Sequence, residues 1–129
     1  MSAAEYLPLV FSLLLLGGLF MAIARMGAAG TLSRNGLVGI RTAATMQSDA
    51  AWYAAHSAIA PTLRACAWVQ LAGAVVILVL ALSMENAPIM PIGLAFLLLP
   101  IIGMLIATAT TAANAANEAH QRVKEDSQA

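Results

Sequence analysis

The stretch ACAWVQLAGAVVILVLALSM, residues 65–84, decides the fold of this chain. It runs for 20 positions without a charged residue, and Leu, Ile, Val and Ala dominate its composition. The hydrocarbon core of a bilayer is about 30 Å thick, and roughly 20 helical residues cross it. The stretch therefore predicts a transmembrane helix.

Two further stretches lack charged residues, at 6–24 and at 86–117. In the longer one the apolar residues are concentrated at 89–107 and give way to TATTAANAAN, residues 108–117. We interpret this small and polar run as the helix leaving the membrane. Because three segments are too few to close a barrel, and an open sheet edge cannot face lipid, each segment must be helical.

The predicted fold is all-α: an integral membrane protein with three transmembrane helices and one membrane domain over residues 1–129. We expect the spans at about 6–26, 63–84 and 88–110, a loop that carries the motif described below at 27–62, and a polar tail at 117–129.

The composition agrees with a bilayer environment and excludes several functions. Charged residues make up 9% of the chain and hydrophobic residues 61%, whereas soluble domains carry about 25% charged residues. The net charge is zero, so no global field attracts nucleic acid, and no nucleic-acid partner is expected. One cysteine and two isolated histidines indicate neither a disulfide nor a metal site.

Arg25 and Arg64 lie at the ends of the predicted spans, and the interiors of the spans carry no acidic or basic residue of the kind that marks transport or catalysis in membranes. We therefore expect no enzymatic activity, no catalytic residues and no cofactor.

The basic residues predict the orientation, because Lys and Arg collect in cytoplasmic segments. All six lie either between the first two charge-free stretches, 6–24 and 65–84, or in the tail: Arg25, Arg34, Arg41, Arg64, Arg122 and Lys124. The N-terminus and the turn around Glu85 have none. We expect the N-terminus outside, and the first loop and the C-terminus in the cytoplasm.

The first loop is too long for a simple connection and contains structural signals of its own. Asn35-Gly36 is a turn signal. Ser48 followed by an acid is typical of a helix N-cap, and it predicts a short helix over 49–60 that Pro61 ends or joins at a bend to the second span. On that helix Trp52, His56 and Ile59 share one face, which suits the membrane interface.

These residues carry a family resemblance. The segment NGLVGIRTAATMQSDAAWYAAHSA, residues 35–58, resembles the signature of the SdpI-type family of bacterial membrane proteins. The positions that match the signature are Asn35, Gly39, Arg41, Thr42, Thr45, Trp52 and His56. The resemblance implies a multipass protein of the bacterial plasma membrane, and toxin-immunity proteins are the best-described members.

The motif allows two interpretations. Arg41 offers a fork of donors, and the hydroxyls of Thr42 and Thr45 with the helix N-terminus after Ser48 complete a possible anion site for a lipid phosphate or a partner's carboxylate. Alternatively the motif is architectural: Arg41 pairs with Asp49, Thr45 makes a turn, and the aromatic residues anchor the loop.

Within the spans, Gly103, Ala107 and Thr111 form a series of small residues on one helix face. Such a series permits close helix approach, either to the chain's own helices or to a protein partner or second copy. Gln70 lies inside the second span and should face another helix, because an amide in lipid lacks a partner.

Two functions follow from these observations. The first is a non-enzymatic, SdpI-like protein that binds a peptide, lipid or protein partner in resistance or signalling. The second is a small accessory subunit of a larger membrane complex. The lipid bilayer is a partner in both.

Overall fold

The computed structural model describes residues 2–84 and 88–129, and these residues form helices, turns and loops without a strand. The α-helices are α1 (Leu7–Ala29), α2 (Ala43–Met46), α3 (Asp49–Ser83), α4 (Ile89–Ala107) and α5 (Ala113–Gln128). A 3₁₀ turn, Ala3–Tyr6, precedes α1, and a π-helical turn, Thr108–Ala112, joins α4 to α5. The predicted turn around Glu85 lies outside the described residues.

Three helical stretches are long and apolar enough to cross a membrane: Ala3–Ala29, Asp49–Ser83 and Ile89–Gln128. The chain is thus all-helical with three candidate spans, as the sequence predicts. At about 1.5 Å per residue, the second and third stretches, of 35 and 40 residues, are longer than a bilayer core is thick.

The short loop helix joins the second span, which is one of the two alternatives that the sequence leaves open at Pro61. It begins at Asp49 as expected, with the Ser48 hydroxyl accepting a hydrogen bond from the Ala51 N–H at 3.1 Å. It then continues through Pro61, so that the loop helix and the second span form one helix, α3. A proline removes one backbone hydrogen bond, but the buried neighbours Ala60 and Leu63 hold the helix against the rest of the bundle.

Helix α3 is the centre of the bundle and packs against α1, α4 and α5. A close approach to α1 occurs at Gly27, where an added Cβ would lie 2.8 Å from the His56 carbonyl oxygen. Gln70 is fully buried in α3, as predicted, and neither polar atom of its amide has a hydrogen-bond partner within the described part of the chain.

We call the end of the bundle where α1 ends and α3 begins the loop end, and residues 30–48, which connect these helices, the motif loop. Ala112 and Ala116 are buried at the loop end in one apolar cluster with residues of α1 and α3. The Gln47 side chain donates a hydrogen bond of 2.9 Å to the Asn117 side chain. The motif loop is therefore held between three helices, while residues 121–129 are exposed.

Candidate functional site

The motif loop turns at Asn35, whose side chain makes four hydrogen bonds. Its Oδ1 accepts from the backbone N–H groups of Leu37 and Val38, both at 2.8 Å. Its Nδ2 donates to the carbonyls of Ser33 at 2.9 Å and Val38 at 3.1 Å. One side chain therefore fixes the whole turn, and it leaves Leu37 at the tip with 93% of its surface exposed.

His56 joins the motif loop to α3 through both ring nitrogens, and it is buried. Its Nε2 lies 2.8 Å from the Ile40 backbone nitrogen, which can only donate. The proton is therefore on Nδ1, which donates to the Trp52 carbonyl at 2.8 Å. The geometry requires a neutral ring, since a second proton would point Nε2–H at the Ile40 N–H.

Gly39 lies directly against this histidine. Its φ is +113°, in a region that residues with a side chain rarely adopt. A Cβ at this position would lie 2.7 Å from His56 Nε2 and 2.8 Å from Cη2 of Trp52. Both the backbone conformation and the space therefore require glycine here.

Trp52 fills the space beneath the motif loop and is fully buried. Its Nε1–H donates to the Leu32 carbonyl at 2.7 Å. Its ring centroid lies 4.2 Å from that of His56, with 35° between the planes. The two residues, four apart on α3, thus hold the motif loop on both sides of the turn at Asn35, at Leu32 and at Ile40.

Thr42 and Thr45 form a reciprocal cap on α2. The Thr42 N–H donates to Thr45 Oγ1 at 3.0 Å, and the Thr45 N–H donates to Thr42 Oγ1 at 3.3 Å. Thr45 Oγ1 also donates to the Ile40 carbonyl at 2.7 Å. Thr45 is fully buried, and its hydroxyl both accepts and donates within the motif loop, so in this structure it serves the loop itself.

The ion pair of the loop involves a different arginine from the one that the architectural interpretation expects. Arg34 Nε lies 2.9 Å from Asp49 Oδ1, and Arg34 also donates to the Met46 carbonyl at 2.8 Å. Pairing of Arg41 with Asp49 is therefore wrong. The turn at Asn35 folds the chain back on itself, and sequence spacing does not indicate which arginine then reaches the acid.

Arg41 is the outward-facing member of the motif. Its side chain is exposed, and it has no hydrogen bond or ion pair with any residue that the structure describes. The other six motif residues hold the loop through contacts with one another and with its backbone. Among the described residues, no cluster of His, Cys, Asp or Glu is able to hold a metal ion.

A three-helix apolar bundle with a tightly bonded loop at one end defines the class: a multipass membrane protein built around a conformationally fixed motif. The family model of the SdpI/YfhL protein family matches residues 31–113, well over half of the chain. This chain therefore belongs to the SdpI/YfhL family. No curated protein matches it, and no solved structure does.

Proposed function

We propose that this protein is a non-enzymatic binding protein of the bacterial plasma membrane. Its motif loop contacts a peptide, lipid or protein partner on the cytoplasmic side, and this contact serves resistance or signalling. Family membership supports a role of this kind.

The proposal rests mainly on one observation: six motif residues make contacts inside the protein, whereas Arg41 is exposed and unpaired among the described residues. Both nitrogens of His56 are engaged, so in this geometry neither is free to act as a general base. Arg41, in contrast, is exposed and offers a planar fork of donors suited to carboxylate or phosphate. A rigid loop that presents one unpaired arginine is suited to binding.

We expect Arg41→Ala to abolish partner binding and to leave stability unchanged within about 0.5 kcal/mol, because the side chain makes no internal contact. The measurement is photo-crosslinking in native membranes from a reactive residue at exposed Ala43, with the adduct identified by mass spectrometry. Arg41→Lys should lose nearly as much of the adduct, since an ammonium lacks the fork.

Ser127, exposed on α5, provides the control position for the crosslinker. An Ala43 adduct no stronger than that from Ser127 would contradict the proposal. So would an adduct that persists in Arg41→Ala. If Arg41→Lys gives as much adduct as the wild type, a positive charge alone is sufficient for partner binding.

The orientation is part of the proposal and follows from the distribution of Lys and Arg. Reporter fusions active only outside the cytoplasm should be silent after Ala60 and after Ala129, and active near Asn86. Activity after Ala60 would reverse the assigned sides.

A small accessory subunit is the second candidate, and one observation favours it. A Cβ added at Gly103 of α4 would meet nothing within 4 Å, so this close-approach position faces open space. Ala107, one turn further, is half-buried and packs against the chain's own apolar cluster at the loop end. The series of small residues is thus divided between the chain itself and its surroundings.

We expect Gly103→Leu to leave the monomer about as stable as the wild type, because the new side chain starts from a Cβ that would meet no atom within 4 Å. If α4 packs against another subunit, the same change should reduce co-purification of that subunit by about tenfold or more, since a small residue permits the approach. The matched variant Ala107→Leu should instead destabilise the monomer by about 1–3 kcal/mol through overpacking. Unchanged co-purification in Gly103→Leu would remove the case for an accessory subunit at this face.

A further inference from the structure

A groove with a volume of about 270 Å³ lies beside the motif loop, and every residue that lines it is apolar. The motif loop contributes Val38 and Ile40 to its lining, α1 contributes Leu19 and Ile23, and α4 contributes Met104. Leu19 is also exposed on the apolar outer surface of α1. The groove therefore opens on the side of the bundle that a bilayer would cover.

Unpaired positive charge adjoins the groove. Arg41 directly follows the lining residue Ile40 in sequence, whereas Arg25, two residues beyond the lining residue Ile23, points about 200° around α1 and so away from the groove wall. Both arginines are exposed, and neither has a hydrogen bond or ion pair with a residue of the described ranges. Asp49, the acid nearest to the motif loop in sequence, is already paired with Arg34.

The charge and the apolar lining are arranged in the order that a bilayer imposes. With a rise of about 1.5 Å per residue, Arg25 lies roughly 3 Å closer to the loop end than Ile23 and roughly 9 Å closer than Leu19. Arg25 therefore marks the headgroup level on α1, and the groove wall at Leu19 lies deeper, at acyl-chain level. Exposed Leu37 at the loop tip fits the same arrangement, because in lipid its apolar surface has no contact with water.

We propose that this groove binds one acyl chain of an anionic phospholipid and that Arg41 holds its phosphate. The inference rests on the proposed function, since it names the ligand class of the same loop. A guanidinium fork matches a phosphate, and basic sites between transmembrane helices bind lipid headgroups. A peptide carboxylate would satisfy Arg41 but would not require the apolar groove below it.

Native mass spectrometry of the intact protein, released from nanodiscs of equal phosphatidylglycerol and phosphatidylcholine with identical acyl chains, tests the proposal. The wild type should retain phosphatidylglycerol with about a fivefold preference, the contribution of one arginine near a membrane surface. Arg41→Gln should retain both lipids equally. The matched control Arg122→Gln, an exposed arginine on α5, should keep the preference.

A second pair of variants tests the groove. Leu19→Trp fills it from its α1 wall and should reduce retention of phosphatidylglycerol about fivefold or more. Leu14→Trp, an equally exposed position on α1 outside the groove lining, should not. Thermal unfolding of each variant establishes that it is folded.

The proposal would be overturned by equal retention of the two lipids by the wild type, by loss of preference in Arg122→Gln as well, or by no effect of Leu19→Trp. If millimolar inorganic phosphate displaces the lipid, and Leu19→Trp retains as much lipid as the wild type, the loop contains a plain anion site instead. A second copy or a peptide bound in place of lipid would also overturn it. A persisting Arg41-dependent peptide or protein adduct at Ala43 would then leave the proposed function standing without the lipid.

Discussion

Gly39→Ala is expected to unfold the motif loop, with a loss of about 3 kcal/mol or more in stability. The new Cβ forces a side-chain-bearing residue to φ +113°, and such strain alone is worth about 1–3 kcal/mol. It also overlaps His56 Nε2 at 2.7 Å and the Trp52 ring at 2.8 Å, and overpacking adds about 1–3 kcal/mol. Neither neighbour is able to retreat, since both are buried and hydrogen-bonded.

Thermal unfolding in mild detergent and limited proteolysis of the motif loop measure this effect. Gly36→Ala is the matched control, three residues away in the same loop. Its Cβ would meet nothing within 4 Å and its φ is not positive, so we expect a change of less than about 0.5 kcal/mol. If Gly39→Ala is as stable as Gly36→Ala, glycine at position 39 is not needed for the fold.

The spans are predictable from the sequence because they depend on one local property, the absence of charge over a bilayer's length. The continuity of α3 through Pro61 is harder to predict from the sequence. A proline after a short amphipathic stretch indicates a break by propensity, and whether Pro61 ends the helix depends on tertiary packing. Here the buried Ala60 and Leu63 lie on either side of it and keep the helix intact.

In the motif, too, the local contacts are predictable from the sequence and the long-range contacts are not. The spacing of Trp52 and His56 places them on one helix face, and the structure agrees, but it buries that face inside the bundle and not at the predicted membrane interface. The contact of His56 with the Ile40 N–H spans 16 residues, and the pair of Arg34 with Asp49 spans 15. Such contacts depend on where the turn at Asn35 directs the chain, and residue spacing alone does not contain that direction.

Gln70 illustrates a chemical question that burial alone does not answer. The cost of an amide in lipid correctly predicts that it turns inward, and it is fully buried. Both its polar atoms nevertheless lack partners among the described residues. Position in a span thus predicts the direction of a polar side chain better than it predicts its bonding.

Trp52→Ala is expected to destabilise the protein by about 3–5 kcal/mol, the usual effect of removing a large buried aromatic side chain. It removes the fully buried ring that packs against His56 and supports the motif loop. It also leaves the Leu32 carbonyl without its donor at 2.7 Å, and a buried unsatisfied acceptor adds about 1–3 kcal/mol. Thermal unfolding in detergent should show the largest decrease of any single tryptophan variant.

Two further variants test the role of the ring. Trp52→Phe keeps an aromatic ring but removes the Nε1–H together with part of the indole, so we expect an intermediate loss of about 1–3 kcal/mol. Trp68→Ala is the matched control on the same helix, where 61% of the side chain is exposed and no core contact is lost, so we expect less than about 1 kcal/mol. If Trp68→Ala were as destabilising as Trp52→Ala, the stability of the bundle would not depend on the loop that Trp52 anchors. We expect a large loss of stability in Trp52→Ala, an intermediate loss in Trp52→Phe and little loss in Trp68→Ala. This order would show that the motif loop and α3 are stabilised together through the Trp52 ring.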